Sequence, residues 1–132
     1  MGELQKVPGI ENVHLERAQV EYQICADADT AIYADGAIDA ADASVQINWW
    51  PEHDDTAADW YQFHYYDSAG FDCGWHRHAN DHVDGLAHYQ ERSSDDADYD
   101  YYPTDLDYDN PTGILWETIG DRLPARLKHR YE

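Results

Sequence analysis

The chain has 132 residues, a length that predicts a single domain, residues 1–132, able to bury a core without metal or disulfide staples. It carries 28 Asp and Glu against 8 Lys and Arg, and the resulting net charge of −20 disfavours binding to a polyanion in dilute buffer. Its 5 Trp, 11 Tyr and 42% hydrophobic residues exclude an intrinsically disordered chain.

Alternation of apolar residues predicts a β-sheet region over residues 17–106, after an N-terminal extension at 1–16. Residues 27–42 fit a short helix, a hairpin or a loop equally well, and Pro103 places the last strand at an edge of the sheet. The predicted strands cover residues 18–26, 43–50, 60–66, 71–78, 86–93 and 98–106.

A C-terminal helix is predicted over residues 110–127. Asn110 is placed to cap it, Pro111 occupies the first helical position, and Pro124 ends or kinks it. The apolar residues of this segment recur every four positions, at Leu115, Ile119 and Leu123. The order of elements predicts an α+β fold, in which an antiparallel meander of five or six strands packs against this helix.

The composition also predicts where the protein works. No signal-peptide core and no membrane span occur, which indicates a cytoplasmic protein with no membrane partner. Cys25 and Cys73 form no CxxC motif and are expected to be reduced, buried structural thiols, and no cofactor is expected. An Asp-rich, Lys-poor folded protein is typical of an extreme halophile, because molar salt shortens the Debye length to about 3 Å.

Half of the basic residues lie at the C-terminus: Arg122, Arg126, Lys128 and Arg130. They could form a patch that binds a polyanion. They could equally be cations that interact favourably with the C-terminal end of the helix dipole.

Half of the eight histidines lie within one short stretch, at His76, His78, His82 and His88. If the preceding DSAG segment is a tight hairpin loop, His64 faces Cys73 and Tyr61 faces His76, although a shift of one residue would change these pairs. This stretch could be a metal site, an acid–base site or a polar hairpin surface.

The metal-site hypothesis depends on His76 and His78, which project from the same face of one strand. His82, Asp84 or His88 could supply a third ligand, but the spacing requires none of them. We therefore predict no bound metal, with His76 and His78 as weak candidates for ligands.

The acid–base hypothesis uses two imidazoles beside Arg77, because histidine titrates near neutrality and arginine binds phosphate. Such a set could cleave RNA without metal, and Tyr89 or Tyr61 could add a hydrogen bond. The alternative is a sheet surface on which His, Arg and Tyr side chains pair across strands.

The stretch FHYYDSAGFDCGWHRHANDHVDGLAHYQE, preceded by VQINWWP and followed by an edge strand and a helix, resembles the TumE-type family of toxin-like proteins. The resemblance covers about residues 43–123, although the adjacent His-His pair of that pattern is missing. It implies a toxin-like function beside an antitoxin-like protein partner. The residues that match the polar cluster of the family are Trp75, Arg77, Asn80, His82 and His88.

The sequence therefore predicts a halophilic, toxin-like protein that is a candidate metal-independent ribonuclease, with RNA as its substrate. The expected catalytic residues are His76, Arg77, His82 and His88. The expected substrate-binding residues are Trp75, Asn80 and Tyr89. The alternatives are a non-catalytic interaction or regulatory domain that uses an aromatic sheet face, and a small metal-binding protein.

Overall fold

A computed structural model describes residues 2–18, 21–50, 60–77, 87–108 and 110–131. Seven antiparallel strands form one sheet, in which each strand pairs with the next along the chain. The strands are β1 (Ile10–Ala18), β2 (Glu21–Ala28), β3 (Ala43–Trp50), β4 (Trp60–Asp67), β5 (Asp72–Arg77), β6 (Ala87–Arg92) and β7 (Asp100–Pro103). With the C-terminal helical segment, this confirms the α+β class, although the sheet has seven strands instead of five or six.

Most of strand β1 lies within residues 1–16, which were predicted to be an N-terminal extension outside the sheet. It pairs with β2, and a short 3-10 helix (Leu4–Lys6) precedes it. Leu4 is fully buried, so this segment is part of the core. The pairing register shifts between Glu11 and His14, and this bulge breaks the alternation by which a strand is recognised in a sequence.

The structure assigns residues 27–42, for which the sequence left three alternatives, and the position of the last strand. Residues 27–42 contain the end of β2 and a short 3-10 helix, Tyr33–Gly36, which is irregular because Ala34 and Asp35 adopt positive φ angles. Strand β7 ends at Pro103 and lies at one edge of the sheet, which confirms the predicted edge position.

The two faces of the sheet differ in character. Most residues of odd number in β3, β4 and β5 are apolar and buried, and they share one core with the C-terminal helix. They include Tyr61, Phe63, Tyr65, Cys73 and Trp75. Residues of even number in the same strands are mostly polar and lie on the opposite face. Both cysteines are free and buried, as predicted.

The C-terminal helical segment consists of α1 (Pro111–Glu117), a π-helical turn (Thr118–Arg122) and α2 (Leu123–Arg130). Asn110 caps it as predicted, because its Oδ1 accepts a hydrogen bond from Gly113 N at 2.8 Å. Pro124 does not end the helix. It lies in the first turn of α2, directly after the π-helical turn. Proline has no N–H to donate, and the regular α-helical hydrogen bonds are already interrupted at this point, so the helix continues. No helix in the described ranges is long and apolar enough to cross a membrane.

The hairpin between β4 and β5 differs by one residue from the predicted register. His64 pairs with Gly74 and not with Cys73. Because side chains alternate between faces, this shift places His64 and His76 on the same face of the sheet.

The turn of this hairpin explains the shift. The Asp67 carboxylate accepts hydrogen bonds from the backbone N–H groups of Ala69 at 3.0 Å and Phe71 at 3.2 Å. Gly70 adopts a φ of 98°, which an L side chain rarely allows. The side-chain bonds of Asp67 therefore hold a loop that is one residue longer than the expected turn.

Candidate functional site

Three histidines lie side by side on the polar face of the sheet: His64 in β4, His76 in β5 and His88 in β6. His76 and His88 are direct partners in the pairing of their strands, with ring centroids 5.5 Å apart. The rings of His64 and His76 have centroids 5.0 Å apart. We call these three residues the histidine row.

His64 connects the histidine row to a carboxylate. Its Nε2 is hydrogen-bonded to Oδ1 of Asp72, and its Nδ1 lies 2.9 Å from Nε2 of His76. When Asp72 is ionised, it accepts the N–H of His64 Nε2, so Nδ1 of a neutral His64 accepts a hydrogen bond from His76. A protonated His64 donates to His76 instead. One proton can therefore move along the bond between the two imidazoles.

Gly74 provides the space that this arrangement requires. It lies opposite His64 in β5, and a Cβ atom at this position would lie 2.8 Å from the carbonyl oxygen of Phe63 and even closer to Nδ1 of His64. Only glycine therefore lets the His64 ring extend over β5 to reach His76.

Asp72 also binds a cation and a phenol. Arg92 donates to Oδ2 of Asp72 from Nη2 at 2.9 Å and from Nε at 3.2 Å, and its guanidinium lies 4.6 Å from the ring centroid of Tyr99. Burial alone would raise the pKa of Asp72, but hydrogen bonds from His64, Tyr99 and Arg92 lower it below its ordinary value. Asp72 is therefore an ionised acceptor that orients His64.

The other end of the histidine row is almost completely enclosed. His88 is 1% exposed and His76 is 6% exposed. The Nε2 atom of His88 lies 3.0 Å from Oε1 of Gln90, and its ring centroid lies 5.9 Å from that of Tyr101. A buried imidazole with a side-chain partner has a defined orientation.

A cavity of about 490 Å³ lies beside the row, lined by residues that include Arg92, Tyr99 and Tyr101. Tyr99 approaches His64 with a centroid distance of 6.5 Å, so the tyrosine walls of the cavity contact both ends of the row.

No family model, curated protein or solved structure matches this chain. The resemblance to the TumE-type family therefore stays a prediction. The chemistry of the site is interpreted from its own geometry.

The structure brings together only part of the predicted set of site residues. His76 and His88 are adjacent on the polar face. Trp75, Arg77 and Tyr89 lie on the opposite face, because each is one residue away from a histidine along its strand. Trp75 packs against Tyr89 with ring centroids 4.9 Å apart, and Arg77 pairs in register with Tyr61.

Three other predicted residues, His78, Asn80 and His82, lie outside the described residues. His82 and Asn80 were expected to act in catalysis and in substrate binding, and His78 was a candidate metal ligand. These assignments stay predictions.

Five residues of the site are absent from the set predicted from sequence: His64, Asp72, Arg92, Tyr99 and Tyr101. Asp72, His64 and His76 differ by even numbers of positions along the chain. With the correct length for the turn between β4 and β5, this spacing places all three side chains on one face of the sheet. Arg92 lies beside them because it is the direct partner of Asp72 in the pairing of β5 with β6. Tyr99 precedes β7, and its position depends on the loop before that strand.

Proposed function

We propose that this chain is a toxin-like, metal-independent ribonuclease in which the histidine row supplies both acid and base. The observation that carries the proposal is the continuous contact of Asp72, His64, His76 and His88 on one sheet face. Acid–base catalysis requires proton-transfer groups in a defined orientation.

The row fits the proton transfers of RNA cleavage. His64 is the member of the row that a substrate can reach, because its side chain is 17% exposed and its ring adjoins Tyr99. Neutral His64 accepts the proton of the ribose 2′-hydroxyl, and that oxygen attacks the phosphorus atom. The resulting imidazolium donates a proton to the 5′-oxygen as the bond between phosphorus and this oxygen breaks. The products are a 2′,3′-cyclic phosphate and a 5′-hydroxyl. The bond between His64 and His76 keeps the transferred proton within the row.

The adjacent cavity has the chemistry of a nucleotide site. Tyr99 and Tyr101 offer rings on which a base can stack, and Arg92 offers a guanidinium for a phosphate. Asp98 also lines the cavity, and salt has to screen its repulsion of a phosphate. The role that the sequence analysis gave to Arg77 is assigned here to Arg92, which lies on the face of the histidine row. Because Arg92 is already paired with Asp72, a bound phosphate competes with that carboxylate.

The charge of the protein requires a salty environment for this function, and we assign it to a halophile. Within the described residues, five Lys and Arg side chains form ion pairs with carboxylates: Lys6, Arg92, Arg122, Arg126 and Lys128. The C-terminal basic patch is therefore largely neutralised by Glu117, Glu91 and Asp35. Molar salt screens the repulsion between RNA and the remaining carboxylates.

The interaction-domain alternative depends on an aromatic sheet face. In the structure, that face is the one that the C-terminal helix covers, and Tyr61, Phe63, Tyr65 and Trp75 are at most 6% exposed. These rings contribute to the core. We therefore favour the ribonuclease over this alternative.

Cleavage of a short RNA in about 1 M KCl with excess EDTA tests the proposal. We expect cyclic-phosphate products, and a rate that falls by roughly 10²- to 10⁴-fold in His64→Gln and in His76→Gln, which removes the hydrogen-bond partner of His64. His129→Gln is the matched control, because His129 is an exposed histidine outside the row. Circular dichroism verifies that each variant is folded. Absence of cleavage by the folded wild type, or full cleavage by both row variants, refutes the proposal.

The toxin-like function has its own test in cells. Expression in a high-salt host is expected to arrest growth, and co-expression of an antitoxin-like protein from a neighbouring gene is expected to restore it. The His76→Gln variant should not arrest growth. Arrest by this variant at the same protein level would separate toxicity from the histidine row.

A further inference from the structure

A second group of potential ligands lies at the opposite end of the polar face, where β1 pairs with β2. His14 and Glu16 are two residues apart in β1 and share a face, and Cys25 of β2 is the direct partner of His14. One ligand atom from each of these side chains lies within 4.8 Å of the other two. No other set of three His, Cys, Asp or Glu ligands this close occurs within the described part of the chain.

The bulge in β1 orients His14. Asn12 has a φ of 53°, and its carbonyl oxygen accepts a hydrogen bond from Nδ1 of His14. The amide of Asn12 is itself held by Asp27, with Nδ2 donating to Oδ2 at 2.7 Å. Because Nδ1 donates to this carbonyl, Nε2 is the nitrogen that a metal can use. In the metal-free chain Nε2 donates to Glu16 at 3.0 Å, so a bound cation takes the place of this proton. A backbone carbonyl on the second nitrogen is the usual support of a metal-binding histidine.

We propose that His14, Glu16 and Cys25 form a zinc site, with ligands Nε2, one carboxylate oxygen, Sγ and a water molecule. A nitrogen, a thiolate and an oxygen are ligands that suit Zn²⁺ and do not suit Mg²⁺ or Ca²⁺. The ligand atoms of a tetrahedral zinc site are roughly 3.3–3.8 Å apart, so two exposed side chains must close by about 1 Å.

Cys25 is a protonated thiol in the metal-free chain. Burial, together with the hydrogen bond and the charge of Glu16, raises the pKa of this thiol to about 11. The negative charge of Glu16 repels the negative charge of a Cys25 thiolate. A divalent cation bound between the two side chains removes this repulsion. Zinc binding should therefore release a proton from Cys25.

The position of the site gives it a role apart from the histidine row. Cys25, Gln46 and His64 are successive partners across β2, β3 and β4, so Gln46 separates the zinc ligands from the row. Strand β1 is an edge strand, and a metal that joins it to β2 closes this edge of the sheet. The proposal does not depend on the ribonuclease function.

Titration of the metal-free full chain with Co²⁺ and Zn²⁺ in about 1 M KCl tests this site, since salt suppresses loose binding to surface carboxylates. We expect one ion per chain and a near-ultraviolet charge-transfer band from thiolate to cobalt. Zinc should displace the cobalt and abolish this band, and Mg²⁺ should not.

Variants assign the ligands. The band should be lost in Cys25→Ala, and the affinity for zinc should fall by roughly 100-fold or more in His14→Gln and Glu16→Gln. The latter two positions are exposed, so these variants keep the fold. Cys73→Ala is the control for a thiol, because Cys73 lies in the core on the other face. No thiolate band in the wild type, or a band that persists in Cys25→Ala, overturns the proposal.

Discussion

Gly74 shows how one residue controls the histidine row. It allows the His64 ring to lie over β5, where it binds His76 on one side and Asp72 on the other. Any larger side chain at this position must displace the His64 ring or the backbone of β4. The hydrogen bonds of His64 to His76 and Asp72 therefore depend on a residue that has no polar side chain.

We expect Gly74→Ala to lower the free energy of unfolding by about 1–3 kcal/mol, because the added methyl group overlaps His64 and Phe63. Denaturant unfolding at constant salt measures the change. Gly2→Ala is the control, since nothing lies within 4 Å of a Cβ atom there. Equal stability of the two variants would show that the His64 ring does not occupy this position.

The pH dependence of stability should reflect Asp72. Its pKa in the folded protein lies below the ordinary value of 3.8, so its interactions stabilise the fold fully above about pH 4. This stabilisation is lost as the pH falls through the lower folded-state pKa. Asp72→Asn should therefore flatten the acid limb of a plot of unfolding free energy against pH.

The matched control for this experiment is Asp96→Asn, at an exposed position outside the network. Its acid limb should follow that of the wild type. An Asp72→Asn variant with an unchanged acid limb would mean that Asp72 is not held ionised by His64, Tyr99 and Arg92.

At the scale of the elements, the π-helical turn joins the C-terminal helix to the rest of the fold. The hydroxyl of Tyr33, in the short 3-10 helix Tyr33–Gly36, donates a hydrogen bond to the carbonyl oxygen of Ile119 within this turn. Both residues are at most 1% exposed, so no water replaces the bond. A loop that the sequence left unassigned thus anchors the helix.

We expect Tyr33→Phe to destabilise the fold by about 1–3 kcal/mol, because the buried carbonyl of Ile119 loses its partner while the ring still fills the core. Thermal unfolding measures this loss. Tyr102→Phe is the control, because Tyr102 is 49% exposed, and it should change stability by less than about 0.5 kcal/mol. A Tyr33→Phe variant as stable as this control would contradict the anchoring role.

At the scale of the whole molecule, a net charge of −20 governs stability. The Debye length is about 30 Å at 0.01 M salt and about 3 Å at 1 M, so repulsion acts across the whole domain only in dilute buffer. We expect cooperative folding above about 1 M KCl and loss of structure in dilute buffer, as measured by circular dichroism.

Sucrose is the control for this prediction, because it favours burial through exclusion from the protein surface without screening charge. It should not replace KCl. A protein that is fully folded and equally heat-stable in dilute buffer would show that the carboxylates do not limit folding.

The sequence alone determined the class of the fold and most of its strands, because alternation and helix capping are local properties of the chain. Cap residue Asn110 and edge residue Pro103 carry their signals within a few positions. Strand β1 was missed for the same reason, since the bulge between Glu11 and His14 interrupts the local pattern.

The tertiary structure decided which side chains meet. The register of β4 against β5 depends on how the Asp67 carboxylate and Gly70 shape one turn, and a shift of one residue exchanges the two faces of a strand. The sequence analysis therefore grouped His76 with Arg77, whereas the structure groups it with His64. Contacts between residues distant along the chain depend on register, and local sequence patterns do not determine register by themselves.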